Sequence, residues 1–322
     1  MDPEQIAHSG QCFRWRKLKI DEYNPLDNIS EASPSPYDIP DNITQDSNGH
    51  CKYDTYVIPP LNCGNLSLSP LYIRKCDGGV ELSCNEADWL SHWCEYFDIV
   101  PSTCYSAQAS TCNDSSYRSP GSNSLDVYDV VHTLITTSDD EYLKRAYFNG
   151  EGIRILRQDI WETIVSFMIS QNNNITRISG SIEKICDLAG LPYNMFPNPS
   201  QMHADWFDDP SLGLGYRNVY IKEILEYVNA NPTWLTDLTH MSYKEAYDSL
   251  TSQKGIGPKV ANCICLFGLH HIEAFPIDTH MKQILSTYYP QGFPLERYNN
   301  VAGIVQQYMF NYKLHKKSIE TI

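Results

Sequence analysis

The chain has 322 residues, 42% of them hydrophobic, with a formal net charge of -15. That length can bury a substantial core in one or two domains. No apolar run reaches membrane-spanning length, and the N-terminus MDPEQIAHSGQCF has early acids and no apolar core, which argues against a secretory signal. The expected location is therefore intracellular, cytoplasmic in a prokaryote or nuclear in a eukaryote, with no membrane partner.

Along the chain, residues 1–20 read as ordered, with a short helix in PEQIAHS and a strand in QCFRWRKLKI. Residues 21–68 are rich in Ser, Pro, Asn and Asp without periodicity, and read as a long inserted loop. LYIRKCDGGVELSC predicts a hairpin turning at DGG, and NEADWLSHWCEYFDI an amphipathic helix capped by Asn85. A second Ser/Cys/Asn-rich insertion covers 101–125. From about 138 onward apolar spacings of three and four predict successive helices, with Ser242 and Asp278 as N-caps and Gly190 as a stop. The expected fold is α+β: a small antiparallel β domain over 1–125, packed on an all-helical domain over 126–322.

The charge is uneven. Residues 1–120 carry 17 acidic and 8 Lys/Arg side chains, a balance of -9, whereas residues 251–322 carry 4 and 7, a balance of +3. A locally basic face can bind a polyanion on an acidic protein. Eleven cysteines show no CxxC pair and no four-cysteine cluster, which argues against a disulfide framework, a zinc site or an iron–sulfur cluster.

The stretch SYKEAYDSLTSQ-KGIGP-KVANCICLFGL predicts helix, tight turn, helix. Gly255 and Gly257 permit positive φ and close backbone approach, and Pro258 suits the first position of the second helix. Free amides then face outward, where a DNA phosphate can bind. A P-loop is excluded: one residue separates the glycines and Val260 follows Lys259. Lys259 lies at the positive end of a helix dipole, which works against an ammonium and suits a lysine nucleophile. Cys263 and Phe267 share its face, a stripe that core packing alone also produces. Asp278 is an N-cap of THMKQIL, and plain capping accounts for it taken singly. Together, hairpin, Lys259 and Asp278 form a specific combination.

With these residues the chain resembles the helix–hairpin–helix, Gly/Pro-Asp superfamily of DNA glycosylases, and within it the 8-oxoguanine DNA glycosylase family. SGQCFRW, GIRILRQD, SQNNNITRI, LGLGYRNVYI, GIGPKVANCICL, PIDTH and AGIVQQYMF occur in the family's order. The resemblance implies excision of 8-oxoguanine from duplex DNA, opposite cytosine, followed by strand cleavage. Lys259 would attack C1′ and form a Schiff base, and Asp278 would stabilise charge on the sugar. Cys263 and Phe310 would sandwich the flipped base, Gln306 would bond its Watson–Crick edge, and the Gly10 carbonyl would accept from N7–H. Asn172 and Tyr216 would fill and wedge the gap, Arg177 and Arg217 would read the orphaned cytosine, and His280 would contact a phosphate.

Asn172–Asn174 fit a helix-end cap equally well, Tyr216 a loop aromatic, and the two arginines surface ion pairs. The resemblance requires no catalytic cofactor or metal, leaves room for a structural monovalent or divalent cation at the hairpin, and implies a monomer. Two departures stand out: Gln253 occupies a commonly apolar position, and the insertions at 21–68 and 101–125 have no counterpart. A glycosylase for another damaged base and a silent DNA-binding module are the alternatives; the latter requires neither Lys259 nor Asp278.

Overall fold

A computed structural model describes residues 1–18, 54–60, 62–63, 66–67, 69–76, 79–99 and 126–319. Residues 21–53 of the loop expected over 21–68, all of the one expected over 101–125, and the hairpin turn at Asp77 and Gly78 lie outside the described residues. The fold is the expected α+β arrangement, with a four-stranded antiparallel sheet followed by helices.

The chain begins with α1 (Pro3–His8), whose N-cap Asp2 accepts from the amides of Glu4 and Gln5. Strand β1 (Arg16–Lys17) pairs with β2 (Thr55–Ile58), β2 with β5 (Leu71–Cys76), and β5 with β6 (Gly79–Leu82). Asn62–Cys63 (β3) and Leu66–Ser67 (β4) form a separate two-stranded ladder. The reading of 21–68 as loop throughout is thus corrected: TYVI is a central strand, with all four side chains buried. Its β-branched and aromatic residues suit a pleated interior, and burial on both faces removes the alternation by which a half-exposed strand is recognised.

Asn85 caps α2 (Glu86–Asp88) as expected, and a wider turn over Trp89–Trp93 leads into α3 (Cys94–Tyr96). The sheet's apolar core gathers Ile6, Tyr56, Ile58, Ile73, Trp93 and Phe97, and it also takes Leu156 from the later chain.

The second and larger core belongs to the helices: α4 (Val127–Thr136), α5 (Glu141–Asn149), α6 (Ile160–Ile169), α7 (Ile175–Ala189), α8 (Arg217–Ala230), α9 (Trp234–His240), α10 (Tyr243–Thr251), α11 (Pro258–Phe267), α12 (Thr279–Tyr288) and α13 (Ala302–Ile319). Their ends follow cap chemistry. Ser242 and Glu245 make a capping box on α10, Asp278 caps α12, and left-handed Gly190 closes α7. The two parts are sewn together near the N-terminus. Gln5 donates to the Asn149 carbonyl at 3.0 Å and accepts from Asn311 at 2.7 Å, while buried Arg14 pairs with Glu162 at 3.2 Å. Among the described residues, no helix is long and apolar enough to cross a membrane.

Candidate active site

The hairpin joins α10 to α11 through Ser252–Gly257. Ile256, 3% exposed, plugs the turn into the helical core, and the polar Gln253 is half-buried, donating to Ser252 Oγ at 3.2 Å. Gly255 has φ +85°, and a Cβ there would lie 2.5 Å from Tyr220 Cγ. Both the left-handed backbone and the overlying ring demand glycine. Gly257 is the N-cap of α11 and nothing stands within 4 Å of where its Cβ would be, while Pro258 opens the helix. The first amides of α11 are therefore free of a side-chain cap and open to an anion. Gln171 braces the turn from behind by donating to the Gly255 carbonyl at 3.0 Å.

A hairpin cation would have to be held by backbone oxygens, the ligand type that hard cations take. Two of those oxygens, on Gln253 and Gly255, already accept N–H groups from Ile256 and Gln171. Among the described residues no cluster of His, Cys, Asp or Glu is arranged to hold a metal.

Lys259 follows Pro258, half-buried. Its Nζ lies 3.4 Å from Ser170 Oγ at the end of α6 and 5.3 Å above the Phe167 ring. One turn on, Cys263 is buried, and burial pushes its thiol up to about 11. The nearby Lys259 amine opposes that rise and the Asp278 carboxylate adds to it, so both groups act on one sulfur. Asp278 accepts from the Met281 amide at 2.8 Å, which fixes the carboxylate at the start of α12. Amine and carboxylate are thus both within electrostatic reach of one thiol, although nineteen residues separate them in the chain. Ser170 and Phe167 were not singled out in the sequence; both lie on α6 or at its end, where only the packing of α6 on α11 reveals them.

A second group forms around α13. Phe310 lies edge-on to His280, with ring centroids 5.9 Å apart, and its Cε1 would be 3.0 Å from a Cβ on Gly10. Gly10 has φ +75°, so a side chain there is excluded by strain as well as by the ring. Gln306 is one turn before Phe310, 4% exposed, and its Oε1 is buried without a hydrogen-bond partner. An orphaned buried acceptor is destabilising unless a ligand supplies the donor.

The third group is the loop between α6 and α7. Asn172 adopts φ +48° and donates to the Tyr216 hydroxyl at 3.2 Å; both side chains are exposed. Asn174 caps α7 by accepting from the Arg177 amide, so part of the Asn run is indeed a helix cap. Arg177 is exposed in the first turn of α7, and among the described residues its guanidinium bonds to none of the other candidates.

Arg217 differs from the expected free reader of a base. It is 7% exposed, and its guanidinium donates to the carbonyls of Gln171, Asn172 and Leu214 while lying 4.8 Å over the Tyr216 ring. In this structure it braces the loop that carries Asn172 and Tyr216. A guanidinium satisfied by backbone carbonyls has no acceptor side chain that the sequence could mark, which is why the motif alone does not show it.

The family model of the 8-oxoguanine DNA glycosylase N-terminal domain matches residues 1–164. The chain belongs to the 8-oxoguanine DNA glycosylase family. An N-glycosylase/DNA lyase of Saccharomyces cerevisiae is 35% identical over 161 residues, 43% of this chain and 42% of that protein. One from Arabidopsis thaliana is 32% identical over 190 residues, 53% of this chain and 52% of the relative. These matches therefore span about half the length of either curated relative. The solved Clostridium acetobutylicum 8-oxoguanine glycosylase/lyase, in complex with double-stranded DNA containing cytosine opposite 8-oxoguanine, superposes with a TM-score of 0.70 at 25% identity. That alignment covers 98% of this chain and 93% of the bacterial one. Family membership extends through the sheet and into α6, while the structural likeness takes in the hairpin and the helices behind it.

Proposed function

We propose that this chain is a bifunctional DNA glycosylase that removes 8-oxoguanine opposite cytosine and then cleaves the strand at the abasic site. The observation that carries the reading is that the Lys259 amine and the Asp278 carboxylate both act on the Cys263 thiol, beside a hairpin whose following helix starts without a side-chain cap. DNA-backbone binding alone requires neither the amine nor the carboxylate.

In this reading the hairpin amides grip the strand and the lesion swings out of the helix, since C1′ cannot be reached in the stack. Asn172 and Tyr216 occupy the gap, Arg177 and, after release from its carbonyls, Arg217 face the orphaned cytosine, and His280 touches a phosphate. The base lies between Cys263 and Phe310, with Gln306 Oε1 accepting from its Watson–Crick edge. The lone pair of the Lys259 nitrogen attacks C1′, the N-glycosidic bond breaks, and the departing base takes the electron pair of that bond and the proton shed by the alkylated Lys259 nitrogen. Asp278 stabilises positive charge on the sugar as that bond lengthens. The sugar ring then opens to a Schiff base on Lys259; loss of a C2′ proton expels the 3′ phosphate. No step uses a cofactor or the hairpin cation. The protein acts as a monomer, in the compartment that holds the DNA: nucleus in a eukaryote, nucleoid in a prokaryote.

Borohydride trapping tests this on a duplex carrying one 8-oxoguanine opposite cytosine. A covalent complex that forms with the natural chain and vanishes in Lys259→Gln is the expected result. Trapping that persists in Lys259→Gln removes Lys259 from the role. Excision of alkylated purines without excision of 8-oxoguanine would replace the substrate.

A further inference from the structure

Guanine and 8-oxoguanine present the same donors on the Watson–Crick edge, so the orphaned Gln306 oxygen cannot separate them. They differ at N7, a lone pair in guanine and an N–H donor in the lesion. Within the proposed function, and with the Gly10 carbonyl reading N7 as the family resemblance implies, discrimination depends on that carbonyl pointing one way. Glycine is the residue least able to hold a direction by itself.

The surroundings of Gly10 supply what glycine lacks. The carbonyl before it, on Ser9, accepts from Gln307 Nε2 of α13, and Gln307 is 2% exposed. The carbonyl after it, on Gln11, accepts from Gln158 Nε2 at 2.7 Å. The Gln11 side chain, fully buried, donates to Ser9 Oγ and to the Arg154 carbonyl, both at 2.9 Å, and accepts from the Leu156 amide at 2.8 Å. Among the described residues no donor bonds the Gly10 carbonyl itself. Peptide units are planar, so pinning the units on both sides leaves the middle one little freedom to turn. Gln307 also shares its helix with Gln306 and Phe310. Offsets of one and four residues place a Watson–Crick acceptor, a backbone clamp and a stacking ring on one rigid rod.

We propose that Gln307 is a specificity-determining positioning residue: by holding the Ser9 carbonyl it aims the Gly10 carbonyl at purine N7 and sets the preference for 8-oxoguanine over guanine. Gln158 is the matching clamp on the other side.

The test compares binding to 8-oxoguanine:cytosine and guanine:cytosine duplexes on a Lys259→Gln background, with and without Gln307→Met, a change that keeps the length and removes the donor. The ratio of the two dissociation constants should fall about tenfold, which is 1.4 kcal/mol of discrimination. Borohydride trapping by Gln307→Met on a duplex with a preformed abasic site, where there is no base to read, should fall much less. An unchanged ratio overturns the proposal. So does a loss of abasic-site trapping equal to the loss of discrimination, since that marks a support of the fold alone. Gln158→Met, at a half-buried position, gives the same comparison should Gln307→Met fail to fold, and it too should lower the ratio. If the natural chain traps at abasic sites but neither binds nor excises 8-oxoguanine preferentially, the functional reading itself fails, a result separable from an unchanged ratio in the variants.

Discussion

The two walls of the candidate site are built in opposite ways. The reactive wall, with Lys259, Cys263 and Asp278, comes from α11 and the start of α12, within twenty residues of continuous chain. The reading wall joins Gly10 to Gln306 and Phe310, almost the whole chain apart. Chemistry common to many lesions needs a fixed local device, a helix start and a capped carboxylate. Selection of one lesion needs surfaces from both ends of the molecule brought to atomic register, so it depends on the whole fold.

The largest expected effect strikes the reactive wall. Asp278→Asn keeps a side chain that caps α12, so the melting temperature should hardly move. The single-turnover rate of 8-oxoguanine excision should nevertheless fall by about 10² to 10³, the loss typical of a removed electrostatic stabiliser. A rate close to that of the natural chain would reduce Asp278 to a cap and break the contrast. Gln306→Met comes next. It removes the orphaned acceptor at nearly constant volume, and excision of 8-oxoguanine should drop by roughly fivefold, in line with about 1 kcal/mol for one hydrogen bond. Cleavage of a preformed abasic site should drop less; equal losses would mean that the walls are not separable.

The smallest effect concerns the thiols behind these walls. Burial pushes Cys263 up to about 11 and Cys186 and Cys265 up to about 12, with Cys12 raised further. An unfolded thiol ionises near about 8.5, so above that pH the unfolded chain gives up protons that the folded chain keeps. Stability from these groups is complete below about 8.5 and is lost as pH rises towards the folded values. Urea unfolding should show a decrease on the order of 1 kcal/mol for each of these thiols between pH 7.5 and 9.5. A Cys263→Ala variant should lose less over the same interval.

Much of the reactive wall was legible in the sequence because its signals are local. Ser242, Asp278 and Pro258 announce helix starts, and the paired glycines announce the turn. The sheet was less legible: Thr55–Ile58 is buried on both faces and sits after polar sequence, so neither alternation nor composition marks it. Arg217 and Gln307 were not legible in their structural roles. Each is bonded to a carbonyl far along the chain, and a main-chain acceptor carries no residue identity to search for.

Gln171 links two parts that have been treated separately. Its side chain holds the hairpin through the Gly255 carbonyl, and its own carbonyl holds Arg217, which braces the loop of Asn172 and Tyr216. Grip and probe therefore travel as one body. In the proposed function, a duplex caught by its backbone would already be tested for a weak base pair, so holding DNA and inspecting it would be a single act.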